Sequence, residues 1–79
     1  MIIVHQELYE HLRAWRNAEA TERLLPAYAI LHQKALHGIA NLLPSTSNDL
    51  LKIPHLGKKT VEKYGATILD IVEEFSPKR

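Results

Sequence analysis

A chain of 79 residues has room for one small core, and domains of this size keep only roughly 3–5 kcal/mol of net stability. The chain contains no cysteine, which excludes both a disulfide framework and a thiolate metal site. Its net charge is +1 with neutral histidines, so the molecule lacks the strongly basic balance of an independent DNA-binding protein. A nucleic-acid role must therefore depend on a local patch.

The first two elements are predicted as long helices. From about His5 to Arg23, apolar residues recur at helical spacing and form one stripe, made of Leu8, Leu12, Trp15 and Ala18. Most of the remaining helix surface is predicted to be charged, formed by Arg13, Arg16, Glu19 and Glu22. Pro26 ends this helix, because proline removes a backbone donor and restricts the residue before it. A second helix from Tyr28 to Leu43 carries a broad apolar band, which predicts the central and most buried helix of the fold.

Three shorter helices are predicted to follow. Thr46 and Asp49 form a capping-box pattern at the start of a helix over Ser47 to Ile53, which buries Leu50, Leu51 and Ile53. After a turn at Pro54–Gly57, a fourth helix covers Lys58 to Tyr64 with Val61 pointing inward. Gly65 is interpreted as its left-handed C-cap. A fifth helix then runs to Ser76-Pro77.

These elements predict an all-α fold, a single-domain bundle of five helices over residues 1–79. We find no internal repeat and no linker. No apolar run approaches the roughly 20 residues of a membrane span. We expect a soluble chain without a targeting segment, located in the cytoplasm and associated with the nucleoid if the source is bacterial.

Catalytic and metal-binding patterns are not found. The five histidines are not spaced four apart, as two zinc ligands on one helix would be, and serine and threonine occur at caps and turns. There is no nucleophile elbow and no phosphate-binding glycine loop. We therefore predict a non-catalytic domain without a metal or other cofactor.

Basic residues near a helix start are the main functional signal. Lys58 and Lys59 occupy the first turn of a predicted helix, where unpaired amides favour a phosphate, and Lys63 lies four residues after Lys59. Such a cluster is as often a solvated helix face, and Glu62 reduces its charge. Tyr28 and Tyr64 are the aromatic candidates for stacking on bases, although packing is favoured for Tyr64 and for Trp15.

The chain also resembles a known family through motifs that share its order and spacing. These are Leu8-x3-Leu12-Arg13-x-Trp15-Arg16-x3-Ala20, Leu25-Pro26-x-Tyr28-x-Ile30-Leu31, Leu36-x2-Ile39-Ala40, Leu43-Pro44-x-Thr46-x2-Asp49-Leu50-Leu51-x-Ile53-Pro54 and Gly57-x-Lys59-x3-Lys63-Tyr64-Gly65-x2-Ile68-Leu69. Together they resemble the HRDC domain, the helicase and RNase D C-terminal module of RecQ-family helicases and RNase D.

The resemblance implies a five-helix fold with a helix-turn-helix hairpin around residues 47–64. It also implies an accessory domain, tethered to a DNA helicase or nuclease of repair and recombination, that binds single-stranded or branched DNA weakly. We accordingly expect the chain to be a C-terminal fragment of a longer protein. Family members that bind DNA use the aromatic residue of the Pro-x-Tyr segment, here Tyr28, and Lys34 is its expected basic neighbour.

The sequence departs from the family pattern at two positions. His55 stands where the turn usually has its first glycine, and a Cβ there disfavours a left-handed turn and keeps a phosphate further from the amides. Ala27 replaces the second of two prolines that usually precede the tyrosine. Near-neutral charge, Glu62 and His55 favour an alternative, a module that docks on a protein partner or on the helicase core of its own chain without binding DNA.

Overall fold

The computed structural model describes residues 5–75, and within this range the secondary structure is entirely helical. The predicted end of the last helix at Ser76-Pro77 lies outside the described residues. The helices are α1 Gln6–Arg23, α2 Ala27–Ile30, α3 Gln33–Leu42, α4 Ser47–Leu51 and α5 Lys58–Phe75. The predicted all-α fold with five helices is confirmed, but two of the predicted boundaries are wrong.

Helix α1 is the element around which α2, α3 and α5 pack. It contacts α2, α3 and α5, while α4 packs on α5, so the segment 28–43 is not the central helix that its apolar band predicted. The buried face of α1 follows the i, i+4 row Leu8, Leu12, Arg16 and Ala20. Ala18, predicted on the buried stripe, is exposed, and Trp15 is only partly buried against the core.

The predicted helix Tyr28–Leu43 is broken in the middle. Leu31 and His32 have extended backbone conformations, which separates the four-residue α2 from α3. The guanidinium Nη1 of Arg16 donates to the Leu31 carbonyl at 3.4 Å and to Gln33 Oε1 at 3.0 Å. Because Arg16 reaches this break from α1, tertiary contacts stabilise a kink that no proline or glycine marks.

The predicted fourth and fifth helices form one continuous helix, α5. Gly65 lies inside it, and no described glycine has a positive φ, so the predicted left-handed cap at Gly65 is wrong. A Cβ at Gly65 would lie 3.3 Å from Val61 Cγ1 and 3.5 Å from Leu50 Cδ1. The missing side chain therefore permits the close approach of α4 to α5.

The capping pattern before α4 is confirmed with one shift. Thr46 Oγ1 accepts a hydrogen bond from the Asp49 amide at 3.1 Å, as predicted. The Asp49 carboxylate bonds back to the amide and the hydroxyl of Ser45, both at 3.2 Å, one residue earlier than in a standard capping box. Leu50 and Ile53 are buried as predicted, whereas Leu51 is exposed.

Candidate nucleic-acid interface

The turn between α4 and α5 has the backbone geometry that glycine usually provides. The Leu56 amide donates to the Ile53 carbonyl at 3.3 Å, with Pro54 and His55 at the two central positions. His55 has φ 66°, the left-handed region required at the second central position of a type II turn. The chain adopts this conformation in spite of the Cβ at position 55, which costs about 1–2 kcal/mol relative to glycine.

The first turn of α5 follows this turn directly. The Gly57 carbonyl accepts the first helical hydrogen bond from the Val61 amide at 3.1 Å, which makes Gly57 the N-cap. Since glycine has no side chain to cap the following amides, they face solvent unless another group accepts their bonds. Lys58 and Lys59 are exposed in this first turn, where the helix dipole favours an anion.

The three predicted lysines do not share one face equally. Lys59 and Lys63 are exposed and one helical turn apart, so their ammonium groups lie on the same side of α5. Lys58 is one turn from Glu62, which is also exposed. Lys59 and Lys63 therefore form the less compensated pair of point charges.

Tyr28 and Lys34 form a second region on α2 and the first turn of α3. The Tyr28 side chain is 73% exposed, so one of the two tyrosine candidates is open to solvent. Lys34 is exposed, and its amide donates to His32 Nδ1 at 3.0 Å, which makes His32 the N-cap of α3. The histidine cap orients the start of α3 and thereby the position of Lys34.

A pair of stacked histidines links the two regions. The rings of His32 and His55 have centroids 4.5 Å apart and an angle of 17° between their planes. His32 is the cap of α3, and His55 is the left-handed residue of the turn before α5. The stack therefore places the start of α3, and Lys34 with it, beside the turn that leads to Lys58 and Lys59, which the sequence did not predict.

Tyr64 has the packing role that was favoured for it. It is buried and meets the Trp15 ring edge-on, with ring centroids 5.5 Å apart. Arg23 and Lys63 each place their charge 5.5 Å from the Tyr64 ring centroid, within the range of cation–π attraction. Tyr64 is thus unavailable to stack on a base, but it holds two cations at the junction of α1 and α5.

Arg23 is a basic residue that the sequence reasoning did not include. The one sequence feature that could have identified it is its place in the last turn of α1, where the helix dipole favours a cation. Its guanidinium hydrogen-bonds to Glu19, and this bond raises the pKa of Arg23 above its ordinary value. Since Glu19 offsets part of its charge, Arg23 is a weaker contact candidate than Lys59.

Arg16 is a structural residue rather than a contact residue. Although predicted at the surface, it is only 7% exposed, and burial lowers the pKa of Arg16 below its ordinary value. Its hydrogen bonds run to Leu31, Gln33 and Asn17, and Gln33 in turn bonds the hydroxyl of Tyr9. This network fixes the α2–α3 break and so the position of Tyr28.

Two negative findings apply to the described residues. Among residues 5–75, no group of three or more histidine, aspartate or glutamate side chains is placed to hold a metal ion. Over the same residues, no helix is long and apolar enough to cross a membrane. What the site does present is lysine charges, an exposed tyrosine ring and a pair of imidazoles.

Comparison with protein families gives a match over nearly all of the described chain. The model of the family described as "HRDC domain" matches residues 5–72. A solved structure, the D. radiodurans RecQ HRDC domain 3, superposes with a TM-score of 0.84 at 31% identity and covers 90% of this chain and 93% of its own.

Two characterised proteins are similar in sequence. ATP-dependent DNA helicase UvrD2 of Mycobacterium tuberculosis is 38% identical over 69 residues, which are 87% of this chain. Ribonuclease D of Pseudomonas paraeruginosa is 32% identical over 63 residues, which are 80% of this chain. The chain spans 10% of the length of UvrD2 and 17% of that of ribonuclease D, so the similarity concerns one domain of each.

Proposed function

Because the chain belongs to the HRDC domain family, we propose that it is a non-catalytic accessory domain of a DNA helicase, of the RecQ type or another, that contacts single-stranded or branched DNA weakly. The observation that carries this proposal is the His32–His55 stack, which brings Lys34 beside the turn that leads into the lysine-bearing start of α5. Tyr28 is exposed on the short helix that precedes this stack. A strand crossing the stack meets an aromatic ring on one side and phosphate-binding lysines on the other.

The chemistry of this surface suits an unpaired strand. Aromatic side chains stack on bases irrespective of sequence, and lysines follow the backbone as point charges. With about three to five phosphate contacts, affinity is low and falls steeply with salt. Tethering to a helicase or nuclease core raises the local concentration of DNA, so weak contacts still contribute.

An NMR titration with a single-stranded oligonucleotide tests the proposal. We expect salt-dependent chemical-shift changes at Tyr28, Lys34 and the first two turns of α5, and smaller changes elsewhere. The absence of any shift at millimolar oligonucleotide and low salt would rule out DNA binding by this domain.

Replacement of Tyr28 gives a sharper measurement. Tyr28→Ala should weaken oligonucleotide binding by about 1–3 kcal/mol, because one stacking platform is lost. Tyr28→Phe keeps the ring and should bind nearly as well as the original chain, as measured by fluorescence anisotropy. Since the side chain is 73% exposed, neither change should alter folding.

A second function, docking on a protein partner or on the helicase core of the same chain, is favoured by exposed leucines. Leu24 is 91% exposed, and Leu25, Leu42 and Leu51 are also exposed. Exposed apolar side chains are typical of protein contacts when they are contiguous. In that case Leu24→Glu should weaken association with the core, while oligonucleotide should cause no shifts.

A further inference from the structure

A cleft lies between α3 and the turn that precedes α5, and we call it the α3–turn cleft. Lys34, His37, Gly38 and Leu42 line it from α3, and Pro54 and His55 line it from the turn. Its volume is about 380 Å³, within the range of about 300–1,000 Å³ of small-ligand sites. The cleft is therefore large enough for one small planar group.

The walls of this cleft combine apolar surface with rings. Leu42 is 65% exposed at the end of α3 and contributes apolar surface to the cleft. The imidazoles of His37 and His55 provide ring surface, and histidine is among the side chains on which unstacked bases pack. These walls suit a flat heteroaromatic group with one apolar face.

The charges at the cleft indicate what is attached to that group. Lys34 is the charged residue of the lining, and among the described residues that form the walls there is no carboxylate. A cation at the rim of an apolar cleft complements a ligand that has an anionic group beside a flat ring. A nucleotide within a strand has this combination, its phosphate next to its base.

The position of the cleft makes it continuous with the proposed strand path. His55 belongs both to the cleft wall and to the stack with His32, and Lys34 belongs both to the cleft rim and to the Tyr28 region. Lys34 and His55 therefore connect the cleft to both regions that the proposed strand contacts.

We infer that the α3–turn cleft is a subsite that takes one unpaired nucleobase of a single strand, with the adjoining phosphate at Lys34. This inference rests on the proposed function and adds a base-binding position to it. The base packs on the His55 and His37 rings and covers Leu42. Duplex DNA, whose bases are stacked and paired, is excluded from the cleft.

Two octamers with identical backbones separate base binding from phosphate binding. One is a thymidine octamer, and the other carries abasic residues throughout. We expect the thymidine octamer to shift the Gly38 amide and the Leu42 methyl resonances, whereas the abasic octamer shifts only resonances near Lys34, Lys59 and Lys63. Equal shifts of Gly38 and Leu42 with both octamers would overturn the subsite.

A matched pair of substitutions provides a second test of the subsite. Leu42→Glu places a carboxylate in the cleft, while Leu51→Glu makes the same change at another exposed leucine that does not line it. Leu42→Glu should weaken thymidine octamer binding about fivefold or more beyond the effect of Leu51→Glu, the loss expected when one stacked base is displaced. Dispersed NMR spectra of both variants show that they fold.

The outcomes distinguish the two levels of the proposal. If Tyr28→Ala weakens binding but Leu42→Glu and Leu51→Glu behave alike, the subsite is wrong and the DNA-binding function stands. If neither octamer binds, both are wrong. If an acidic leucine-containing peptide shifts Gly38 and Leu42 while the octamers do not, the cleft binds protein and the nucleobase inference fails.

Discussion

At the scale of single residues, the most informative position is His55. Its left-handed φ of 66° puts a side chain where glycine is conformationally cheapest, and the same side chain stacks on His32 and lines the α3–turn cleft. Histidine is one of the few residues enriched in this conformation. The backbone strain at position 55 therefore accompanies the contacts of an imidazole ring, which a glycine at this position could not make.

Paired substitutions at this position measure the strain. His55→Ala loses the stack but keeps the Cβ in the left-handed region, whereas His55→Gly loses both the stack and the Cβ. We expect the glycine variant to be more stable than the alanine variant by about 1 kcal/mol in urea unfolding. Equal stability would mean that the turn relaxes to another conformation once the ring is removed.

Asp49 gives a pH dependence at the same scale. The hydrogen bond from the Ser45 amide lowers the pKa of Asp49 below its ordinary value, and side-chain bonds from Ser45 and Thr46 act in the same direction. A lowered pKa in the folded state means that the stabilisation is complete above the unfolded pKa of about 3.9 and is lost as the pH falls through the folded value.

Asp49→Asn should therefore reduce the fall in the free energy of unfolding between pH 5 and pH 2, because the amide cannot titrate. Asp70→Asn, on the exposed face of α5, makes the same charge change away from the cap and serves as the control. If the free energy of unfolding of both variants falls between pH 5 and pH 2 as much as that of the original chain, the Asp49 cap has no special role in acid unfolding.

At the scale of elements, glycines set how closely helices approach one another. Gly38 of α3 faces the turn, where an added Cβ would lie 2.8 Å from Ile53 Cγ2 and 3.9 Å from Pro54 Cδ. Gly65 of α5 has the corresponding role against α4. Neither glycine ends a helix, so both are explained by packing rather than by backbone conformation.

Gly38→Ala should destabilise the domain by about 1–2 kcal/mol, although alanine is the better helix former by about 1 kcal/mol. The Cγ2 methyl of Ile53 can move away only by rotation about χ1, which would also displace the rest of this buried side chain. In an Ile53→Leu background, which lacks that branch, the same change should cost much less. Additive effects in this double-mutant cycle, measured by thermal unfolding, would contradict the clash.

At the scale of the whole molecule, the net charge is only +1, so binding to DNA depends on local clusters of basic residues. Acidic residues such as Glu19 and Glu62 lie near the basic ones, so long-range attraction to DNA is small. The affinity for DNA then depends on a few phosphate contacts. The slope of log Kobs against log salt concentration reports the number of these contacts.

Lys59→Gln should lower the slope of log Kobs against log salt concentration by about 0.7, the value for one phosphate contact on a single strand. Lys52→Gln, at the exposed end of α4, removes the same charge outside the proposed path and should leave the slope unchanged. Equal reductions in both variants would point to general electrostatics rather than to a contact at Lys59.

The sequence by itself determined the helical class, the family and the cap before α4, because periodicity and capping act over a few neighbouring residues. It also placed Tyr28, Lys34 and the α5 lysines among the candidates, though binding by them stays a prediction. Only the tertiary structure decided the break at Leu31, which Arg16 stabilises from another helix, and the continuity of α5 through Gly65. It also joined the two candidate regions, since the His32–His55 stack links residues 23 positions apart, beyond the reach of any local pattern.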